Sequence, residues 1–471
     1  MNPDAMFSIS FQLSFVAVAG ILLLTPFFLD LLPNRQGEGD IQTDVFRRIF
    51  LYFWGLMAVT VSATLFLLPI TALYFHRISL VSVPANMTVV PILAFWVIPS
   101  GLLCAVTLPL STAISAAFLH LGTWGLDLMM AIVAFWADIP WASMWVIIPN
   151  LFEISLFYAL LLSLFFIRKI RWAKVGLVAV LILIGVDVGY WIHRVNFGQT
   201  LRVTFLDVGK GNAALVEFPG GKRMIIDGGG FSSGRFDVGE MVVAPFLWRS
   251  KVLHVDYLVL SHPQSDHMNG LRFIAKHFNP REFWFSGDVV DTPSFQELLQ
   301  IVKTKGIRKR IPSEANRDRV INDVRVEILH PFPEENKSAE LKDGKWLNNR
   351  SMVLKITYKG TSFLFPGDLE ASGENELMLR AGKRLKSQIL LAPHHGSNTS
   401  SSAALLEAVH PRLCVISSGE GNPNFPHKAV LDRLRRIGCR VICTARSGAV
   451  QIEARPESLN VETFVDPSDS R

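Results

Sequence analysis

The sequence predicts a polytopic α-helical membrane part over residues 1–195, an α/β domain of layered sheets and helices over 196–456, and a polar tail over 457–471. Three observations carry this division. Long apolar blocks fill the first 190 residues, while the charged residues, 18% of the chain, crowd into the remainder. Short strand-like runs recur after Thr200, with helix-like stretches between them. Acids and histidines recur where those runs stop.

Half of the 471 residues are hydrophobic, with 33 Phe and 11 Trp, which is too apolar for an ordinary soluble protein. The net charge of +6 suits nucleic acid or anionic lipid, but basic membrane proteins are common, so it excludes little. Four cysteines are too few for a disulfide framework. Cys104 lies in an apolar segment and Cys414, Cys439 and Cys443 in strand-like runs, so buried free thiols are expected.

Six segments are read as long and apolar enough to cross about 30 Å of hydrocarbon, near 10–31, 50–70, 86–110, 112–137, 145–167 and 173–191. The first is too long for a signal-peptide core and lacks a basic leader, so it reads as a span. The third is expected to break at Pro91 and at Pro99-Ser100-Gly101, either lining a wet cavity or simply kinking. Arg35, Arg47 and Arg48 lie in one loop, and Arg168, Lys169, Arg171 and Lys174 lie in another, four crossings later. Both loops are therefore expected in the cytoplasm, which delivers the C-terminal domain to the outer face. Trp141 and Trp145 fit the outer interface, and His76-Arg77 the headgroup level.

In the second part LRVTFLDVG runs into a turn at Gly209-Lys210-Gly211-Asn212, and RMIIDGGG ends at Asp227. No helix-opening Gly-x-Gly-x-x-Gly and no P-loop lysine follows, so nucleotide-binding readings fail. The stretch 258–270, LVLSHPQSDHMNG, then places His262, Asp266 and His267 in a loop just past an apolar run. Nitrogen and oxygen donors without thiolate suit zinc, manganese or iron in hydrolysis, and a polar turn after a strand is the plain alternative. TSFLFPGDLE carries another strand into Asp368, and SQILLAPHHGS carries one into His394-His395. Together these predict one metal site along a sheet edge.

The order His262-x-Gln264-x-Asp266-His267, Gly367-Asp368 and a strand ending at His394 resembles the metallo-β-lactamase fold. More narrowly, LDVGKGN, IIDGGG, LSHPQSDHMNG, NNRSMVL, PGDLE and APHHGSNTSSS, with NPDAMFSISFQLSFVAVAGI at the start, resemble the ComEC family of bacterial competence proteins. Those proteins carry transforming DNA across the inner membrane. The resemblance covers nearly the whole chain. It implies an αββα, metallo-β-lactamase-like domain outside the inner membrane, one or two divalent ions (Mn or Zn), and DNA and the membrane as partners. Other competence proteins and self-association are left open. The chain departs from the family in three ways. It begins inside the family's membrane domain, as an N-terminally shortened form would. Gln264 stands where the superfamily has His, and Lys210 and Asn212 replace a Gln and an Asp.

On that resemblance the better-formed metal position uses Asp266, His267, a bridging Asp368 and one of His394 and His395, with Asp266, His267 and Asp368 as the catalytic set. His262 is a weaker ligand and Asp227 an orienting carboxylate. Lys210, Asn212, Gln264, Ser397 (with Asn398 and Thr399) and His427 are the candidate supporting or substrate contacts. Such a site suits phosphodiester hydrolysis. Three functions stay open: DNA uptake with hydrolysis of the non-transported strand, hydrolysis of another phosphoester by a membrane-anchored enzyme, and a non-catalytic shortened copy.

Overall fold

The computed structural model describes residues 3–31, 41–167, 169–231, 236–313, 317–332, 344–419, 425–455 and 458–465. Arg35, Arg168 and the tail beyond residue 465 lie outside the described residues. The chain divides into two compact units, Met1–Val188 and Gly189–Arg471.

Among the described residues of the first unit and its boundary, five helices are long and apolar enough to cross a membrane: Ile9–Leu29, Val45–Phe75, Ser82–Thr107, Thr112–Ala137 and Ala173–Phe197. The remaining expected span is shorter. Helix Leu151–Phe166 has 16 residues, about 24 Å, less than the hydrocarbon thickness of about 30 Å. It starts late because Asn150 caps it. Asn150 Oδ1 accepts the Glu153 N–H at 2.9 Å, and Glu153 returns a carboxylate oxygen to the Asn150 N–H at 2.7 Å. Trp145, read from sequence as the start of this span, instead ends a short strand, Ser143–Trp145.

The third span is interrupted between Pro91 and Pro99 as expected, but by a change of helix type and not by a loss of helix. The helix continues through a π-turn at Leu93–Val97, where the Ile98 N–H reaches the Leu93 carbonyl. Pro99 has no N–H, and its ring crowds the carbonyl four residues back, a conflict that a wider turn relieves. Strand Ser143–Trp145 pairs antiparallel with Arg77–Ser79, and the Arg77 guanidinium lies over the Trp145 ring at 4.3 Å. The connections after the second and fourth long helices therefore meet.

The second unit is built from two sheets packed face to face. The eight-stranded sheet runs, in spatial order, 459–463, 450–454, 201–205, 214–217, 223–226, 257–260, 282–285 and 308–310. The seven-stranded sheet runs 440–443, 413–416, 389–391, 361–365, 353–358, 324–330 and 318–321. Between them Val203, Phe205, Val259 and Trp284 meet Val326, Leu354, Phe365 and Val415 in one buried core. Helices Ala371–Ala381, Ala403–Val409 and Lys428–Arg436 bury Leu377, Leu406 and Leu434 against the outer face of the seven-stranded sheet. Helices Ser265–His277 and Pro293–Thr304 bury Leu271, Ile274, Phe295 and Leu298. This is the four-layer αββα arrangement, and covering both faces of each sheet explains the unbroken apolar strands.

Two local readings need correction. The helix after the histidine motif begins at Ser265, so Asp266 and His267 stand in its first turn and not in a loop. Residues 459–463, expected in a loose tail, form an edge strand on 450–454, because their alternating pattern lets Val461 pack on the core.

The loop after strand 223–226 presses directly on the helix that carries His267. A Cβ on Gly270 would lie 2.0 Å from the Gly228 carbonyl oxygen, which is backbone and cannot step aside. Gly270→Ala is expected to destabilise the unit by at least the ~1–3 kcal/mol typical of overpacking. Gly185→Ala, which meets open space, is expected to leave stability unchanged. Thermal unfolding of the two full-length variants in detergent checks this contrast.

Candidate metal centre

His267 is fully buried and stands between two carboxylates. Its Nδ1 is 2.8 Å from Asp227 Oδ2, and its Nε2 is 3.2 Å from Asp368 Oδ1. Asp227 follows strand 223–226 with a left-handed backbone, φ 58°, which turns its carboxylate back toward the neighbouring strand end. The Ser261 N–H and hydroxyl fix that carboxylate at 2.8 and 2.9 Å, and the same hydroxyl is 3.0 Å from His262 Nδ1. Asp368 comes from the other sheet, after strand 361–365, where its N–H donates to Ser351 Oγ at 3.1 Å. His394 and His395 follow strand 389–391 with φ 51° and 55°. Their Nε2 atoms face Asp368 Oδ2 at 3.9 and 3.5 Å.

These side chains form two buried groups whose candidate ligand atoms lie within 4.8 Å of one another. One is His262, His267 and Asp368, and the other is Asp266, His267 and His395. His262 Nε2, His267 Nε2, Asp368 Oδ1 and both ring nitrogens of His395 are buried without a hydrogen-bond partner. Such a concentration of unsatisfied nitrogen and oxygen atoms is costly unless a cation meets them, so the residues fit a divalent metal.

The electrostatics agree. Burial, with His267 nearby, lowers the His262 imidazole to about 4, so it is neutral at pH 7 with a lone pair to donate. Burial would lower His267 too, but Asp368 and Asp227 overrule it and hold this imidazole well above its ordinary range. Burial opposes ionisation of Asp368, yet His267 and His395 keep it well below the usual carboxylate range. The pocket is thus arranged to hold positive charge between ionised carboxylates.

A cavity of about 500 Å³ opens on these groups, lined by Lys210, Gln264, Asp266, Asp368, His394 and His395 among others, with Phe231 and Phe425 as aromatic walls. Lys210 Nζ is 3.7 Å from Asp266 Oδ2 but 60% exposed, a loose pair. Gln264 spends its amide on the Gly344 carbonyl at 3.0 Å and on Asn348 Oδ1 at 2.7 Å, bracing the short helix Gly344–Asn348. Asn212 is buried, and its N–H donates to the Asp266 carbonyl at 3.3 Å.

Not every expected contact reaches the cavity. His427 caps helix Lys428–Arg436, its Nδ1 accepting the Ala429 N–H at 3.2 Å, which is why a histidine stands there. Ser397 Oγ bonds Thr399 Oγ1 at 3.0 Å, and Thr399 reaches His394 Nδ1 at 3.3 Å, so this pair supports the histidine loop. Ser261, Ser351, Phe231 and Phe425 carry weight that sequence reading did not assign. Ser261 and Ser351 lie in the LSH and NRSM runs, hydroxyls beside strand ends. Nothing local marks the two phenylalanines.

Residues 1–171 match the family described as competence protein, and residues 206–419 match the metallo-β-lactamase superfamily. The chain is 28% identical over 468 residues to ComE operon protein 3 of Bacillus subtilis, covering 96% of this chain and 56% of that protein. It is 34% identical over 250 residues to competence protein ComA of Neisseria gonorrhoeae, covering 53% of this chain and 32% of that one. The chain therefore spans about half or less of the length of these curated relatives. Among solved structures, Igni18, a metallo hydrolase from Ignicoccus hospitalis, aligns with a TM-score of 0.32 at 12% identity, over 56% of this chain and 99% of that one.

Asp227 touches only His267 and Ser261 among the site side chains, so its effect on a metal would pass through the imidazole. Asp227→Asn is expected to weaken divalent-metal affinity by about 10–100-fold, while Gln264→Ala leaves it largely unchanged. Calorimetric titration of the full chain with manganese and zinc measures both.

Proposed function

The chain belongs to the ComEC family of competence proteins, and from that premise we propose that it serves DNA uptake, its C-terminal domain hydrolysing phosphodiester bonds of the non-transported strand. The membrane helices would line part of the path of the other strand. The observation that carries the hydrolytic reading is the pair of buried groups sharing His267 at the head of the cavity. With its Nδ1 held by Asp227, His267 would give its Nε2 lone pair to a single divalent ion, shared either with His262 and Asp368 or with Asp266 and His395, and manganese or zinc suits these donors. When bound, such an ion polarises a phosphoryl oxygen and lowers the pKa of water.

The chain's own residues do the rest. Asp227 and Ser261 lock the His267 ring, and Ser351 holds both Asp368 and His262. Lys210, at the cavity wall, offers charge to a phosphate. Phe231 and Phe425 offer faces on which bases of an unpaired strand stack, which suits single-stranded DNA better than a small phosphoester.

The orientation proposed here puts this domain outside the inner membrane. Arg47 and Arg48 before the second long helix, and Lys169, Arg171 and Lys174 before the last, support it, provided that the shorter helix Leu151–Phe166 crosses as well and so leaves four crossings between these two basic connections.

The full chain in detergent, supplied with manganese or zinc, is expected to cleave a single-stranded oligonucleotide. His267→Ala and Asp368→Asn are each expected to reduce the rate by at least about 10²-fold, the scale of removing a principal source of transition-state charge stabilisation. A folded, metal-loaded protein that cleaves neither single- nor double-stranded DNA would sink the hydrolytic reading.

A further inference from the structure

A second cavity of about 430 Å³ lies in the C-terminal unit, away from the metal groups. One wall is the last two turns of helix Ala173–Phe197, with Tyr190, His193 and Arg194, and the other is the opening ends of strands 201–205 and 223–226, with Arg202 and Arg223. The helix end is fastened there: Arg223 donates to the Val195 carbonyl at 2.6 Å, and the Gly220 N–H reaches the Gly198 carbonyl at 2.9 Å.

The lining carries five cations, Arg194, Arg202, Lys222, Arg223 and Arg455, against two carboxylates, Glu217 and Glu453. Three of the five are matched. Lys222 meets Asp256 at 2.8 Å, Arg202 meets Glu217 and Glu453 at 3.4 and 3.6 Å, and Arg455 meets Glu453 at 3.1 Å. Arg194 and Arg223 have no carboxylate at ion-pair distance among the described residues. Glu217 on the neighbouring strand and Asp256 nevertheless favour the Arg223 charge from farther off, and Arg194 Nη1 donates to the Tyr190 hydroxyl at 3.3 Å. Arg223 is only 5% exposed, and its Nε has no hydrogen-bond partner. A buried guanidinium with an unmet N–H is costly, and it is matched best by an anion with several oxygens.

The location narrows the anion. Helix Ala173–Phe197 is long and apolar enough to cross a membrane. Its end carries Trp191, flanked by the Arg194 guanidinium at 5.2 Å and by Lys251 Nζ at 5.4 Å from the ring centroid. Aromatic rings with neighbouring cations at the end of a span are the pattern of the headgroup layer. We propose that this cavity binds the phosphate of an anionic phospholipid headgroup, held between Arg194 and Arg223. It is separate from the metal centre, because Arg223 opens the strand that Asp227 follows, about 13 Å away at ~3.3 Å per residue.

The test is thermal unfolding of the full chain in detergent, with added phosphatidylglycerol or phosphatidylcholine, beside native mass spectrometry to count retained lipid. Phosphatidylglycerol is expected to raise Tm by several degrees and to be retained, and phosphatidylcholine to do neither. Arg194→Gln is expected to lose most of that shift, and Arg194→Lys to keep part of it. Arg223→Gln alters a buried side chain and can fail for structural reasons, so the exposed Arg194 carries the decision. Equal shifts from both lipids, or a full shift in Arg194→Gln, overturn the proposal. So does inorganic phosphate reproducing the whole shift and displacing the lipid, which would assign a free-phosphate site. Displacement of the lipid by a short single-stranded oligonucleotide, with binding lost in Arg194→Gln, would assign the cavity to nucleic acid instead.

Discussion

His267, held between Asp227 and Asp368, is the contact on which the rest of the site depends. Asp227 belongs to the edge of the eight-stranded sheet and Asp368 to that of the seven-stranded sheet, so one imidazole ties the two layers together where their strands end. It also belongs to both candidate metal groups. Removing it would leave two carboxylates facing each other out of water, a far greater penalty than the loss of one hydrogen bond. The backbone reinforces the same seam, where the Met352 N–H reaches the Ser261 carbonyl at 2.8 Å, and within the eight-stranded side the Gly228 N–H reaches the His267 carbonyl at 2.7 Å.

That arrangement works against simple stability. Five ring and carboxylate atoms are buried without a hydrogen bond, His267 Nε2 and Asp368 Oδ1 meeting only as an ion pair, and Asp227, His394 and His395 all take the left-handed backbone that side chains disfavour. The surrounding core supplies the compensation, since the strands that aim these residues are buried on both faces, with Leu201, Val203, Ile225, Leu258 and Val259 fully covered. Local strain at the strand ends persists because the strands themselves cannot move.

Much of this was legible in the sequence because strand ends write themselves locally. An apolar run followed by Asp227, by His262-x-x-x-Asp266-His267, by Asp368 or by His394-His395 announces both the strand and the residue it presents. What stayed hidden depends on partners far along the chain. Ser351 meets His262 across 89 residues, and nothing in NRSM says which imidazole it will reach. Gln264 reads as a failed ligand until Asn348 is seen 84 residues away, taking its amide. His427 reads from sequence as a candidate contact or a loop histidine, and its place as a helix cap, Nδ1 accepting the Ala429 N–H, depends on where the next helix starts. In the membrane part, composition announced the helices but not their limits. Asn150 and Glu153 shorten one by capping it, and a π-turn lets another pass through Pro99 still helical.

The two cavities sit at opposite ends of the same strands, and the separation bears on how they would act together. Between Arg223 and Asp227 run only buried apolar residues, Met224, Ile225 and Ile226. At about 13 Å and an effective dielectric near 20, one unit charge at either end is worth roughly 1.3 kcal/mol at the other, before salt screening reduces it. That is at most a tenfold effect on an equilibrium. Filling the arginine end with a phosphate would therefore tune the metal end weakly. Its larger consequence would be mechanical: a strand anchored at its first residue holds its last one in place, and that last position is where Asp227 orients His267.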